Sequence, residues 1–167
     1  MNFLHFKHMN LRVTFLFTVL SLFSATCLHA GPLIRSIETL PAEIHSKTHC
    51  LNKEYLLFSP TVAESKIPLP LFIYLHGGGG KGEDIAVAEK RSKLAIDNVR
   101  KAINEPFFIV APQALKKEGA GWFSEDLNLW LAHLKTTLPI DENRVYLTGH
   151  SMGGYGTWLW AGVNPEH

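Results

Sequence analysis

The sequence predicts an α/β protein: a mostly parallel sheet with helices on both faces. Three observations lead there. Leu71-Phe72-Ile73-Tyr74-Leu75 and Phe107-Phe108-Ile109-Val110 are continuous apolar runs of strand length, the pattern of strands buried on both sides. Segments of helical periodicity separate such runs, as in Leu127, Trp130, Leu131, Leu134 and Leu138. The 167 residues are 46% hydrophobic and 19% charged, which suits one packed domain rather than a disordered chain. The formal net charge of +1, from 16 Lys+Arg against 15 Asp+Glu, lacks the basic footprint of a nucleic-acid binder, so no nucleic-acid partner is expected.

In chain order, residues 1–30 read as an address. Lys7 and Arg12 are the only charges there, and they precede the uncharged, Leu- and Phe-rich stretch from Val13 to Leu28. That stretch falls short of the roughly 20 apolar residues a membrane span needs. A basic start, a short apolar run and small residues read as a secretory signal peptide, cleaved after Ala30. The expectation is a secreted or periplasmic protein with no stable membrane insertion after cleavage; an uncleaved anchor is the alternative. Cys27 raises a lipid anchor, but Ser24-Ala25-Thr26 is a poor context for one. Beyond the signal Cys50 stands alone and reads as a small buried hydrophobe.

Residues 31–50, with Gly31, Pro32 and Pro41, read as a linker or irregular entry segment. His45 and His49 beside Cys50 make too sparse a set for a metal site, so they read as solvated loop histidines. The domain proper is assigned to 51–167. Tyr55–Phe58 forms a strand closed by Ser59-Pro60, and Leu71–Leu75 a second that runs into His76 and four glycines. A helix follows from Lys90 to Ile103, with Ala95, Val99, Ala102 and Ile103 on one face. The cluster Lys90, Arg91, Lys93, Arg100 and Lys101 is its solvated side. The strand Phe107–Val110 is stopped at Pro112, Ser124 caps the next helix with Glu125 and Asp126 at its positive end, and Val145–Thr148 is a last strand before a helix over Met152–Val163.

Two motifs sit at strand ends. Gly77, Gly79 and Gly82 satisfy G-x-G-x-x-G, but Glu83 and Asp84 follow at once and would repel a pyrophosphate, and the next strand has no acidic tip for a ribose. Gly80-Lys81 is followed by Gly82 rather than Ser or Thr, which removes the P-loop reading. The run His76-Gly77-Gly78-Gly79 matches instead the glycine loop that lends a backbone N–H to an oxyanion hole. The second motif, Gly149-His150-Ser151-Met152-Gly153, is G-x-S-x-G between an apolar strand and a helix, the setting that holds a nucleophilic serine on a strained turn. Ser151 would attack a carbonyl carbon, and the developing oxyanion would take hydrogen bonds from the Met152 N–H and from the Gly77–Gly79 loop. Such a donor typically contributes about 2.7–4 kcal/mol to lowering the barrier. His150 adjoins the serine but points elsewhere at a strand end and is rejected as the base. His76 reads as structural or pocket-lining, and Trp122 as pocket wall or core. No cofactor or metal is needed by this chemistry.

The run from Asp141 to Trp158, with Leu75–Asp84 and Ile109-Val110-Ala111-Pro112-Gln113, resembles exported α/β-hydrolases of the polyhydroxybutyrate-depolymerase, feruloyl-esterase and prolyl-oligopeptidase-like branch. The likeness covers residues 52–167. It implies an α/β-hydrolase fold, Ser151 as nucleophile and Met152 and Gly78 as oxyanion donors. The implied activity is hydrolysis of small-molecule or polymer-linked esters, with a prolyl-oligopeptidase-like peptidase or an inactive remnant or binding module as alternatives. The family's triad runs Ser, then Asp or Glu, then His. Only 16 residues follow Ser151, and His167 lies past a helix that leads away from it. The chain therefore reads as the N-terminal portion of such a hydrolase, ending just after the elbow. It is expected to be inactive alone, with the Val145–Thr148 strand left as an apolar edge.

Overall fold

The computed structural model describes residues 31–61, 67–117, 119 and 121–164. The signal-peptide segment 1–30 lies outside them. Ten elements follow in order: β1 (Leu33–Thr39), α1 (Ala42–His45), β2 (Leu51–Pro60), β3 (Leu69–Leu75), a single 3-10 turn (Gly78–Gly80), α2 (Ile85–Ala102), β4 (Phe108–Ala114), α3 (Ser124–Thr137), β5 (Ile140–Gly149) and α4 (Met152–Val163).

The strands form one sheet in the order β1-β2-β4-β3-β5. Strand β3 pairs in parallel with both β4 and β5, in register Ile73↔Val110 and Ile73↔Leu147. Strands β1 and β2 extend the sheet antiparallel beyond β4. Side chains alternate across it, as a two-residue period demands. Leu57, Leu71, Ile73, Leu75, Phe108 and Val110 pack on one face with Leu127, Trp130, Leu134 and Trp160 of α3 and α4. Leu56, Phe58, Tyr74, Ile109 and Ala111 pack on the other with Ile85, Ala88 and Ile96 of α2. Strands β2, β3 and β4 are thus packed on both faces, as the apolar runs predict, while the edge strand β5 is fully buried only at Ile140.

The details correct several expectations. The entry segment is not irregular: Leu33–Thr39 is a strand paired to β2 along its whole length. It escapes pattern reading because it is an edge strand whose Ile34 and Ile37 are exposed, so ladder bonds rather than burial hold it. Helix α2 begins at Ile85 rather than Lys90, because the Asp84 carboxylate accepts the Ala86 N–H at 3.0 Å and caps the first turn. Its fully buried residues are Ile85, Ala88, Ser92 and Ile96; Ala95, Val99 and Ile103 pack half-buried against the same core as expected, and only Ala102 of the expected face is exposed. Strand β4 continues past Pro112, which faces Tyr55 of β2. β3 pairs with β4 only through Val110, so beyond it one side of β4 carries no ladder with β3, a position where a strand tolerates proline. Ser124 is the first residue of α3 rather than its cap, and Phe123 holds the cap position without a side-chain bond.

Asp126 lies in the first turn of α3, as expected, and takes a second role there. Its carboxylate, 2% exposed as a residue, accepts the backbone N–H groups of His49 and Cys50, each at 2.8 Å, and His49 Nδ1–H at 3.0 Å. It thereby ties the chain entering β2 to α3. Cys50 is buried and free. At the opposite edge β5 flanks β3, and α4 presents Tyr155, Trp158, Leu159 and Val163 outward. No helix among the described residues is long and apolar enough to cross a membrane.

Candidate active site

Strands β3 and β5 run side by side and end level, with Leu75 opposite Gly149, so the turns that leave them meet. Past Gly149 the chain reverses into α4 through His150 and Ser151. Ser151 sits at φ 52°, ψ −114°, and it is the only non-glycine with positive φ among the described residues. Such a backbone costs on the order of 1–3 kcal/mol and persists only where its surroundings impose it. The surroundings here are backbone. A Cβ on Gly153 would lie 1.9 Å from the Leu75 carbonyl oxygen, and one on Gly149 would lie 2.3 Å from that of Gly153. Two bonds close the turn: His150 N–H donates to Leu75 O at 3.2 Å and Gly153 N–H to His150 O at 2.9 Å.

The glycine loop after β3 lies against this turn. A Cβ on Gly77 would stand 3.1 Å from both His150 Nδ1 and His150 O and 3.5 Å from Ser151 Cβ. Together Gly77–Gly80, Arg91, His150 and Ser151 line a cleft of about 280 Å³. Gly78 opens the 3-10 turn and Met152 opens α4. The leading N–H groups of a helix have no acceptor within it, so both elements present backbone donors at their starts. Met152's side chain packs against the core.

His76 and Trp122 are brought close to the loop but not onto the cleft. The His76 ring is fully buried beneath Gly80, where an added Cβ would stand 2.5 Å from its Cγ. The Ala114 N–H can only donate, so His76 Nε2 accepts it at 3.1 Å, and Nδ1–H donates to Gly77 O at 2.8 Å. The ring is a neutral spacer between the loop and β4, and burial pushes its pKa below the ordinary histidine value. Trp122, 8% exposed, donates from Nε1 to His76 O at 3.1 Å and packs against Gly156 of α4. Both side chains support the loop from behind, which corrects the pocket-lining reading.

Two further supports went unnoticed in the sequence. Gln113 is fully buried, and its Nε2 donates to Gly80 O at 2.9 Å and Asp84 O at 2.8 Å. Its Oε1 accepts from Asn52 Nδ2 at 2.7 Å, and the same Asn52 group reaches Glu83 O at 3.1 Å. Asn52, Gln113 and His76 thus hold the carbonyls of 77–84 in place. Arg91 is the other missed residue: it belongs to the cleft and not merely to a solvated helix face.

No protein-family model matches the chain, and no curated protein matches it. Solved structures do. A thermostable esterase is 26% identical, with TM-score 0.57 over 81% of this chain and 38% of its own. A ferulic acid esterase is 19% identical, with TM-score 0.59 over 80% of this chain and 54% of its own. An S-formylglutathione hydrolase from Agrobacterium tumefaciens is 16% identical, with TM-score 0.58 over 81% and 55%. This chain therefore spans from about two fifths to just over half of their lengths. The sheet order, the flanking helices and these likenesses give the chain the α/β-hydrolase fold.

Proposed function

We propose that this chain carries the nucleophile and oxyanion hole of a serine esterase. One observation carries the reading: the only non-glycine residue in positive-φ backbone among the described residues is a serine, held on a strand-to-helix turn beside a glycine loop. A hydroxyl placed on such a turn stands clear of its own backbone, while the starts of α4 and of the 3-10 turn offer N–H groups beside it.

In this reading the Ser151 hydroxyl oxygen attacks the ester carbonyl carbon, and its proton passes to a general base. The negative charge that develops on the carbonyl oxygen is met by the N–H groups of Met152 and Gly78. Collapse expels the alcohol and leaves an acyl-Ser151, which water hydrolyses by the same steps to release the acid. His150 is exposed on the cleft, yet no hydrogen bond joins its ring to the Ser151 hydroxyl and no carboxylate among the lining residues orients it. The reading therefore places the imidazole and acid of the triad outside the described residues.

The test is covalent labelling of the full-length protein with a fluorophosphonate probe. We expect wild type to label and Ser151→Ala to remain unlabelled; equal labelling overturns the assignment. Cleavage of aryl esters with no cleavage of prolyl peptide anilides marks an esterase, and cleavage of the anilides marks a prolyl-oligopeptidase-like peptidase.

A further inference from the structure

The cleft in front of Ser151 has one permanently charged side chain among its lining residues, Arg91, and no carboxylate. The guanidinium lies along the glycine loop. A Cβ on Gly79 would stand 3.4 Å from Arg91 Nε, 3.5 Å from Cζ and 3.7 Å from Nη2. Gly79 thus leaves a flat backbone surface on which the planar group rests. Of the charges near it in sequence, Glu89 pairs with Arg35, Lys93 with Asp97, and Asp84 caps α2, whereas Lys90 is not among the residues lining the cleft. Arg91 is exposed, and no ion pair among the described residues includes it.

An unpaired guanidinium in a cleft is a directed donor set, because its N–H groups match the two oxygens of a carboxylate in geometry and charge. We propose that Arg91 is a substrate-binding residue that selects esters carrying a free carboxylate, such as half-esters of short dicarboxylic acids. The inference rests on the reading above, in which Ser151 attacks an ester in this cleft. The cleft volume of about 280 Å³ favours a short spacer between the ester carbonyl and the carboxylate. The neutral glycine loop discriminates nothing by charge, so the preference falls to Arg91.

Two arms test this on the full-length protein. The first compares mono-p-nitrophenyl glutarate with p-nitrophenyl butyrate. The ratio of their kcat/KM values is expected to fall about tenfold or more in Arg91→Gln, the loss of one charge-assisted contact. Arg91→Lys, which keeps the charge but not the fork, should retain an intermediate ratio. An unchanged ratio in Arg91→Gln overturns the proposal. The second arm needs no turnover: glutarate is titrated into Ser151→Ala while the Gly78–Gly80 amide resonances are followed. Saturable shifts that vanish when Arg91→Gln is added support the anion site. Shifts that persist without Arg91, or no shifts at all, overturn it. Turnover of both esters at an Arg91-independent ratio leaves the esterase reading standing and removes this one. Glutarate binding through Arg91 with no labelling at Ser151 does the reverse.

Discussion

The turns that leave β3 and β5 line the same cleft and are held by opposite means. After β3, the glycine loop has little side-chain substance of its own, and polar groups from elsewhere fix it: the His76 ring, Gln113 and Asn52 bind the carbonyls of Gly77, Gly80, Glu83 and Asp84. After β5, polar pins are few and missing side chains do the holding. Gly149 and Gly153 let the α4 backbone press against the Leu75 carbonyl, and Ser151 absorbs the strain at φ 52°. A polar-pinned loop can be loosened by protonating or removing a pin. A strained turn fails when a methyl group is added.

The largest expected effect comes from adding that methyl group. Gly153→Ala places a Cβ 1.9 Å from a backbone oxygen of β3, a contact no rotamer change can relieve. Either α4 lifts off the sheet or the Leu75–Gly149 register breaks. We expect a loss of more than about 3 kcal/mol, beyond the usual range for overpacking, and no probe labelling at Ser151. Denaturant unfolding followed by the near-UV signal of Trp160, within α4, and of Trp122, packed against Gly156 of that helix, measures it. A loss below about 1 kcal/mol would show that the turn is not held by close backbone approach.

The loop side should respond to pH instead. Burial lowers the folded-state pKa of His76 from the ordinary value of 6.5, so below about that pH the unfolded chain binds a proton the folded one refuses. Stability contributed by the neutral ring is full above pH 6.5 and is lost as pH falls, until the lower folded value is reached. The slope for one proton approaches roughly 1.4 kcal/mol per pH unit. His76→Gln keeps a polar side chain under the loop and removes the titration, so its acid limb between pH 6.5 and 5 should be shallower than that of wild type. Parallel curves would mean that His76 protonates freely and does not pin the loop in neutral form.

The same contrast explains what the sequence made legible. The elbow was readable because strand, glycines, serine and helix are contiguous, and the glycines that shape the turn, Gly149 and Gly153, lie within two residues of Ser151. The pins were not, because each joins residues far apart: Gln113 reaches Gly80, Asn52 reaches Gln113, and Asp126 reaches Cys50. A buried polar side chain has no periodic signature, and Gln113 carried weight only as part of a family likeness. Arg91 was hidden inside a cluster of five basic residues; the phase of α2 and a bare Gly79 single it out, and neither shows in composition. Strand β1 was missed for a third reason, since an exposed edge strand has almost no hydrophobic alternation to read.

The smallest effect should isolate the strain itself. Ser151→Ala and Ser151→Gly both remove the hydroxyl and any nucleophilic role, but only glycine removes the Cβ that makes φ 52° unfavourable. Relief of an imposed backbone conformation is worth on the order of 1–3 kcal/mol. The extra freedom of glycine in the unfolded chain opposes it by about 0.5–1 kcal/mol. Ser151→Gly should therefore be more stable than Ser151→Ala by about 1 kcal/mol, measured by urea unfolding at pH 7.5, where His76 does not contribute to the difference. The sign carries the meaning, because in relaxed backbone glycine is the less stable of the two. An alanine variant equal to or more stable than the glycine one would show that the turn accommodates its side chain without strain. The reactive position would then owe its geometry to the glycine loop beside it rather than to the turn on which it sits.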